Sequence, residues 1–382
     1  MNKHSELHLS NGLHSPMVLI KNIDLWAPKR LGIQDILICG KSILAIADKI
    51  EFSTELKMVV VDGKGMKGVP GFIDQHVHIL GGGGEEGYRS RIPEILPNEL
   101  LHAGTTALVG LLGTDTIGKS IAQLIANARR LAAHGLTVYC LSGGYAYPPI
   151  TLTGLVENDL FFIPEILGVK TAIADSRSSN PTVDELSRLA STTRRTGMLS
   201  QKVGIVVVHI GKEDGGFSKI DEVLQKSDVP ITQFRPTHVG NHLEEAISFA
   251  KRGGYIDFTA TSDGLTCARD VAKAIGEGVP ADRITISSDA NGSIPVWSES
   301  GNLIATTVAS PGSLMRTMIS LIDDFDFATE SAISFVTSNV ASALDLRPHK
   351  GELSVGSDAD LLIIDDQWHL NKVILQGKVF NL

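Results

Sequence analysis

Between residues 71 and 290, eight short apolar runs alternate with stretches patterned as helices, and this alternation limits the possible folds more than any other feature. The runs are GFIDQHVH (71–78), TTALVGLLG (105–113), TVYCLSG (137–143), LGVKTAIAD (167–175), GIVVVHI (204–210), ITQFRPTHV (231–239), YIDFTATSD (255–263) and RITISSDA (283–290). All are rich in Val, Ile and Thr, as strands are. Between them lie NELLHAG, SIAQLIANARRLAAHG, TVDELSRLASTTRRTG, KIDEVLQKSD, HLEEAISFAKRGG and ARDVAKAIGEG. Several open on Ser, Thr or Asp and close on Gly, which marks helix ends. A long loop then leads to two more helical stretches, LMRTMISLIDDFD and ATESAISFVTSNVASALDL. Eight strands in βα alternation predict an α/β fold, a (β/α)8 TIM-type barrel. A doubly wound open sheet is the alternative.

The two chain ends read differently. MVLIKNIDLWAP, DILICG, SILAIAD and MVVVDGKG in the first part, and DADLLIIDD and NKVILQGKVF in the last, are strand-like with turn residues between. The expected organisation is a barrel over 69–346 and a small β-sandwich domain built from 1–68 and 347–382. At 382 residues the chain is long enough for both. A net charge of -9 without a Lys/Arg cluster argues against a nucleic-acid partner. Cys39, Cys140 and Cys267 are far apart, which fits a reduced, cytoplasmic setting with each as a small core residue. The polar N-terminus has no apolar core of a signal peptide, and its His4, His8 and His14 read as a loose tail. No uncharged apolar run reaches membrane-spanning length, so no membrane partner is expected.

In a barrel, chemistry sits where strands end. The first run ends in His76 and His78, and a spacing of two puts both on one side of a strand. Lys170 lies inside the fourth run; His209, His238 and Asp289 fall near the ends of the fifth, sixth and eighth. Imidazoles with a carboxylate suit zinc or a similar divalent ion. Taken singly, each His reads as a hydrogen-bonded core residue and Lys170 as a snorkelling strand-edge lysine. Their convergence is what points to metal. His102, His134 and His369 read as surface residues, and His349 as a loop residue. The glycines after His78, GGGGEE, lack the Lys-Ser/Thr of a phosphate loop.

HVH after GFID, then GVK, HI, PTHV and SSDANGS in this order, resemble the amidohydrolase superfamily of metal-dependent barrel hydrolases. DQHVHILGGGGEEG, ALVGLLGTD, SGGY, LGVKTAIADSRS, RPTHV and SSDANGS are similar to its isoaspartyl dipeptidase (β-aspartyl peptidase) family, over nearly the whole chain. The resemblance implies a zinc-dependent metallopeptidase with two zinc ions. His76, His78 and Asp289 would hold one, His209 and His238 the other, and Lys170 would bridge them as a carbamate. Asp289 would also move the proton, and Tyr145 would steady the oxyanion. Glu85 would pair with the substrate's α-amine; Gly83, Thr114 and Ser293 would hold its α-carboxylate, and Arg177 the carboxylate of the leaving residue. By residue type alone, Tyr145 also reads as a rim aromatic, and Thr114 and Ser293 as loop groups facing water. The implied partner is a small dipeptide, and the implied assembly a homo-oligomer.

One departure from the family pattern concerns specificity. A second arginine is expected a few residues after the sixth-strand histidine, but this chain reads PTHVGNHLEE, with Asn241 or His242 at that place. Arg235 precedes His238, and strand alternation turns it away. Other readings are a cyclic-amide hydrolase, an N-acyl amino acid deacylase, or a barrel kept only for binding. Glu85 weighs against the first two and the filled metal positions against the third.

Overall fold

The computed structural model describes residues 17–51, 57–297 and 303–382, so the tail with His4, His8 and His14 lies outside the described residues. All eight expected barrel strands form: Phe72–Val77, Thr105–Gly110, Thr137–Gly143, Ile166–Ile173, Ile205–Ile210, Phe234–Thr237, Ile256–Thr259 and Ile284–Ser287. They pair in parallel and in sequence order. A doubly wound sheet would reverse its order midway, so that alternative falls. A parallel bridge between Val77 and Ala290 joins the first strand to the chain just past the eighth, and curls the sheet toward closure.

Helices cover the outside for reasons visible in their first turns. Ser120 accepts a hydrogen bond from the Gln123 N–H and starts Ile121–Ala133, and Thr182 does the same from Glu185 for Val183–Ser200. Fully buried Phe72, Phe234, Phe258 and Phe335 lie in the core. Burial of one such ring contributes about 2–3 kcal/mol.

Four local expectations change. The sixth strand is shorter than 231–239, because Ile231–Gln233 is a 3-10 turn and His238 adopts a left-handed φ of 62° that ends the strand. The stretch 328–346 breaks into Thr329–Phe335 and Ser338–Ala343 around Val336 and Thr337. The segment read as a long loop after the eighth strand contains an antiparallel pair, Ser293–Trp297 with Leu303–Val308. Cys140 and Cys267 are buried as expected, but Cys39, last residue of the strand Arg30–Cys39, is exposed.

The chain ends meet in a separate, connected sheet of eight strands. Lys67–Pro70, which runs directly into the first barrel strand, pairs antiparallel with Leu361–Ile364. The junction is thereby fixed one residue before Phe72, where the Gly71 N–H donates to Asp360 O at 2.9 Å. Among the described residues, no helix is long and apolar enough to cross a membrane.

Candidate metal centre

The six residues proposed as ligands come from five strands and converge at the strands' C-terminal ends. His76 Nε2 lies 3.4 Å from Asp289 Oδ1, and His78 Nε2 lies 3.1 Å from the same oxygen. Lys170 Nζ is 3.1 Å from His76 Nε2. The His238 ring centre is 5.0 Å from that of His76 and 4.5 Å from that of His209. His238 Nδ1 is 2.7 Å from Thr259 Oγ1, which orients the ring from the seventh strand. His238 and Asp289 both adopt left-handed backbone, with φ of 62° and 52°. Such a conformation in a non-glycine residue costs about 1–3 kcal/mol and persists where surrounding contacts demand it.

Burial sets the charge state of the cluster. It lowers the pKa of His76 well below the ordinary histidine value, lowers His78 and His209, and takes His238 down to about 3. The imidazoles are therefore neutral, with lone pairs available for a cation. Burial likewise brings the Lys170 ammonium down to about 7. It would raise the Asp289 carboxyl, but contact with His78 and the surrounding imidazoles holds that group well below the usual carboxylate range.

Whether a divalent ion fits can be judged from what the cluster leaves unsatisfied. His76 Nδ1, His78 Nδ1 and Asp289 Oδ1 are buried without a partner in hydrogen-bonding geometry. Buried polar atoms in that state are costly. His76, His78 and Asp289 can each offer a ligand atom, all within 4.8 Å of one another. Neutral imidazoles and an anionic carboxylate at that spacing fit a divalent ion. His209 and His238 lie beside this group.

A cavity of about 880 Å³ opens over the cluster, with Gly83, Glu85, Tyr145, Arg177 and Ser293 in its wall. Glu85 gathers the rim: Thr114 Oγ1 donates to its Oε1 at 3.0 Å, Ser293 Oγ donates at 3.2 Å, and Arg177 Nη1 stands at 3.5 Å. Gly83 has a φ of +74°, and a Cβ there would meet Ser90 O at 2.2 Å, so glycine is required. The Tyr145 hydroxyl is 2.8 Å from His209 Nδ1, and burial pushes its pKa well above the ordinary value, so it stays a donor.

Sequence reasoning passed over four residues. Asp175 bonds His209 Nε2 at 2.9 Å and accepts a fork from Arg177, Nε to Oδ1 at 2.9 Å and Nη2 to Oδ2 at 2.7 Å. Burial would raise its pKa, but His209 and Arg177 hold it well below the carboxylate range. Its position at the end of the fourth strand-like run was the available signal. Asp74 and Asp257 are buried carboxylates near the cluster, and burial raises them to about 7 and about 6. Lys119 reaches the Gly81 and Gly82 carbonyls from the loop after the second strand.

Around the missing arginine, the expectation for Arg235 agrees with its contacts. Its guanidinium donates to Phe234 O at 3.1 Å and Ala343 O at 2.7 Å, and the residue is absent from the cavity wall. Asn241 lines the cavity, its Nδ2 donating to Ile210 O at 3.1 Å, whereas His242 Nδ1 sits 3.2 Å from Glu245. His102, His349 and His369 are exposed and His134 is half-buried, all outside the cluster.

The amidohydrolase family model matches residues 69–380. Among solved structures, the chain is similar to the β-aspartyl dipeptidase of Fervidobacterium islandicum AW-1, a thermophilic keratin degrader, crystallised with the β-Asp-Leu dipeptide. Identity there is 33%, with 95% of this chain and 96% of that one covered at a TM-score of 0.89. N-acetylglucosamine-6-phosphate deacetylase from Pasteurella multocida shares the fold at 15% identity and a TM-score of 0.64, over 96% of this chain and 100% of that one. Dihydropyrimidinase from Brevibacillus agri NCHU1002 does so at 17% and 0.61, over 95% of this chain and 94% of that one.

Proposed function

The chain belongs to the amidohydrolase family, and within it we propose a metal-dependent hydrolase of β-aspartyl (isoaspartyl) dipeptides that cleaves their side-chain amide bond. The observation that carries the reading is Glu85. It places a carboxylate, with Thr114 and Ser293 hydroxyls on it, at the rim of the cavity above the histidine cluster. A β-aspartyl unit presents an ammonium and a carboxylate on one carbon, so their receptors must be neighbours, as these three residues are.

His76, His78 and Asp289 would hold one zinc or similar ion, and His209 and His238 a second. With His209 Nε2 on Asp175, Nδ1, which faces the Tyr145 hydroxyl at 2.8 Å, is the nitrogen that would meet an ion once that hydroxyl turns to the substrate. Lys170 favours carbon dioxide capture, because its lowered pKa leaves a share of neutral amine near pH 7. The nitrogen lone pair would attack the carbon, one N–H proton would pass to solvent water, and the resulting carbamate would offer its oxygens to the ions. Divalent ions there supply Lewis acidity, polarising a carbonyl and lowering the pKa of water.

The protein's own residues do the rest. Asp289 takes the proton of the attacking water and passes it to the leaving amine. Tyr145 donates its hydroxyl to the developing oxyanion. Glu85 pairs with the α-amine, while Thr114, Ser293 and the Gly83 backbone orient the α-carboxylate. Arg177 takes the leaving residue's carboxylate with the guanidinium edge not held by Asp175. A cytoplasmic homo-oligomer is the expected setting, supported by unpaired cysteines for the compartment and family likeness for the assembly.

The deciding assay sets β-aspartyl-leucine beside α-aspartyl-leucine and a cyclic amide. Turnover of the first alone is expected; preference for either of the others overturns the reading.

A further inference from the structure

The cavity wall contains three cationic side chains among the described residues, Lys119, Arg177 and Lys212. Arg177 is engaged by Asp175 through two hydrogen bonds. Lys212 is exposed on the loop after the fifth strand, across the barrel from the first strand and its glycine run. Lys119 follows the second strand, next to the first, and is half-buried.

Its ammonium is held in place. Nζ donates to Gly81 O and, at 3.3 Å, to Gly82 O. An ammonium has three N–H groups, so a third donor and the positive charge remain for the cavity. Burial lowers the Lys119 pKa, while Asp115, itself paired with Arg91 at 2.8 Å, and Glu85 favour the charged ammonium without bonding to it. Gly82 packs directly against the Ser293 backbone, since a Cβ on it would meet Ser293 N at 3.0 Å. Lys119 therefore stands at the wall formed by the glycine run and Ser293, the wall assigned above to the α-carboxylate.

That wall needs a cation. Thr114, Ser293 and the Gly83 N–H are neutral donors, and Glu85 and Asp289 already place negative charge in the cavity. The substrate's α-amine offsets Glu85, so its α-carboxylate, with Asp289 also in the wall, has no cationic partner of its own unless the protein supplies one. Building on the β-aspartyl reading, we infer that Lys119 is a substrate-binding residue, its ammonium anchored on the Gly81 and Gly82 carbonyls and its charge countering the α-carboxylate of the β-aspartyl unit. The neutral donors then orient that carboxylate, and Lys119 provides the attraction.

The test compares wild type, Lys119→Met and Lys119→Arg on two compounds. One is β-aspartyl-leucine; the other is β-alanyl-leucine, which keeps the amine and the scissile amide but lacks the α-carboxylate. The second is read as a substrate, or as a competitive inhibitor if it turns over too slowly. Lys119→Met is expected to lower kcat/KM for β-aspartyl-leucine by about 10- to 100-fold, mainly through KM. The value for β-alanyl-leucine should move less than about threefold, Lys119→Arg should recover much of the loss, and bound divalent metal should be unchanged. Equal losses on both compounds in an otherwise active enzyme overturn the inference and leave Lys119 as a clamp on the glycine run. A wild type that does not cleave β-aspartyl-leucine overturns the dipeptidase reading itself, and this assignment with it.

Discussion

Lys170 Nζ stands 3.1 Å from His76 Nε2, both side chains buried at the C-terminal mouth of the barrel. Strand pairing fixes this placement: Lys170 is in register with Gly143 on one side and Val207 on the other. The backbone therefore holds the amine at the histidines at the cost of burying it. Desolvation brings its pKa down to about 7, into the range where a share of neutral amine exists near neutrality.

Removal of that amine should dismantle the centre. Lys170→Ala is expected to lower metal occupancy and to cut kcat/KM by more than about 100-fold, since even groups that only orient ligands cost about 10–100-fold when removed. A short carboxylic acid added to the variant should restore part of both, by supplying the two oxygens the carbamate would have given. Metal analysis by mass spectrometry alongside turnover checks this; full activity in Lys170→Ala excludes the carbamate. The wild type should carry close to two divalent ions per chain.

Glu85→Gln should separate binding from metal content. The amide keeps the shape and can accept from Thr114 and Ser293, which lie 3.0 and 3.2 Å away, but it loses the charge. An expected loss of about 10- to 100-fold in kcat/KM for β-aspartyl-leucine follows from one charge-assisted contact. Metal occupancy should stay at the wild-type level. A parallel fall in metal would remove Glu85 from substrate recognition.

How much of this was legible follows from what each residue answers to. His76 and His78 were readable because strand period two and strand-end position are local properties of the chain. The barrel was readable because each βα unit repeats the same pattern. Asp175 does not stand out in the sequence, because its partners His209 and Arg177 are brought to it by packing, although it closes the fourth strand-like run. Lys119 and Asp257 belong to the same class: their meaning depends on carbonyls of the glycine run and on hydroxyls of neighbouring strands, all remote in sequence. The sixth strand's early end at His238 was invisible for another reason. A left-handed histidine is unfavourable locally and is held there by its packing against His76 and His209.

Asp257, which is not among the proposed ligands, gives a pH signature of its own. It accepts from Gln75 at 2.6 Å, Thr285 at 2.9 Å, Thr237 at 2.8 Å and Ser287 at 2.6 Å. Burial nevertheless raises its pKa from 3.8 to about 6. The folded state thus holds a proton that the unfolded state releases. The resulting stabilisation is complete below about pH 4 and is lost as pH rises through about 6, a swing of about 3 kcal/mol. Asp257→Asn should remove that part of the slope, since the hydroxyls of Thr237 and Ser287 can reverse to accept from the amide. Urea unfolding from pH 4 to 7 checks it; the same slope in both proteins refutes the assignment.

Asp175 links the metal side of the cavity to the substrate side. One oxygen, Oδ2, lies 2.9 Å from His209 Nε2 and 2.7 Å from Arg177 Nη2, so a single carboxylate fixes the imidazole and the guanidinium. The bond to Nε2 leaves Nδ1, which faces the Tyr145 hydroxyl, as the ring nitrogen that could meet an ion, and a carboxylate on a ligand histidine raises its basicity. The same group holds Arg177 within 5.2 Å of the Tyr145 ring centre and 3.5 Å from Glu85. Asp175→Ala should therefore act twice: metal affinity falls about 10- to 100-fold, and KM for β-aspartyl-leucine rises even at saturating metal. Asp175→Asn should recover the His209 bond through its carbonyl oxygen, and with it metal affinity, while Arg177 remains poorly held and KM stays high. Metal titration by calorimetry and steady-state kinetics separate the two effects. If KM returns to the wild-type value once metal is saturating, Asp175 serves His209 alone.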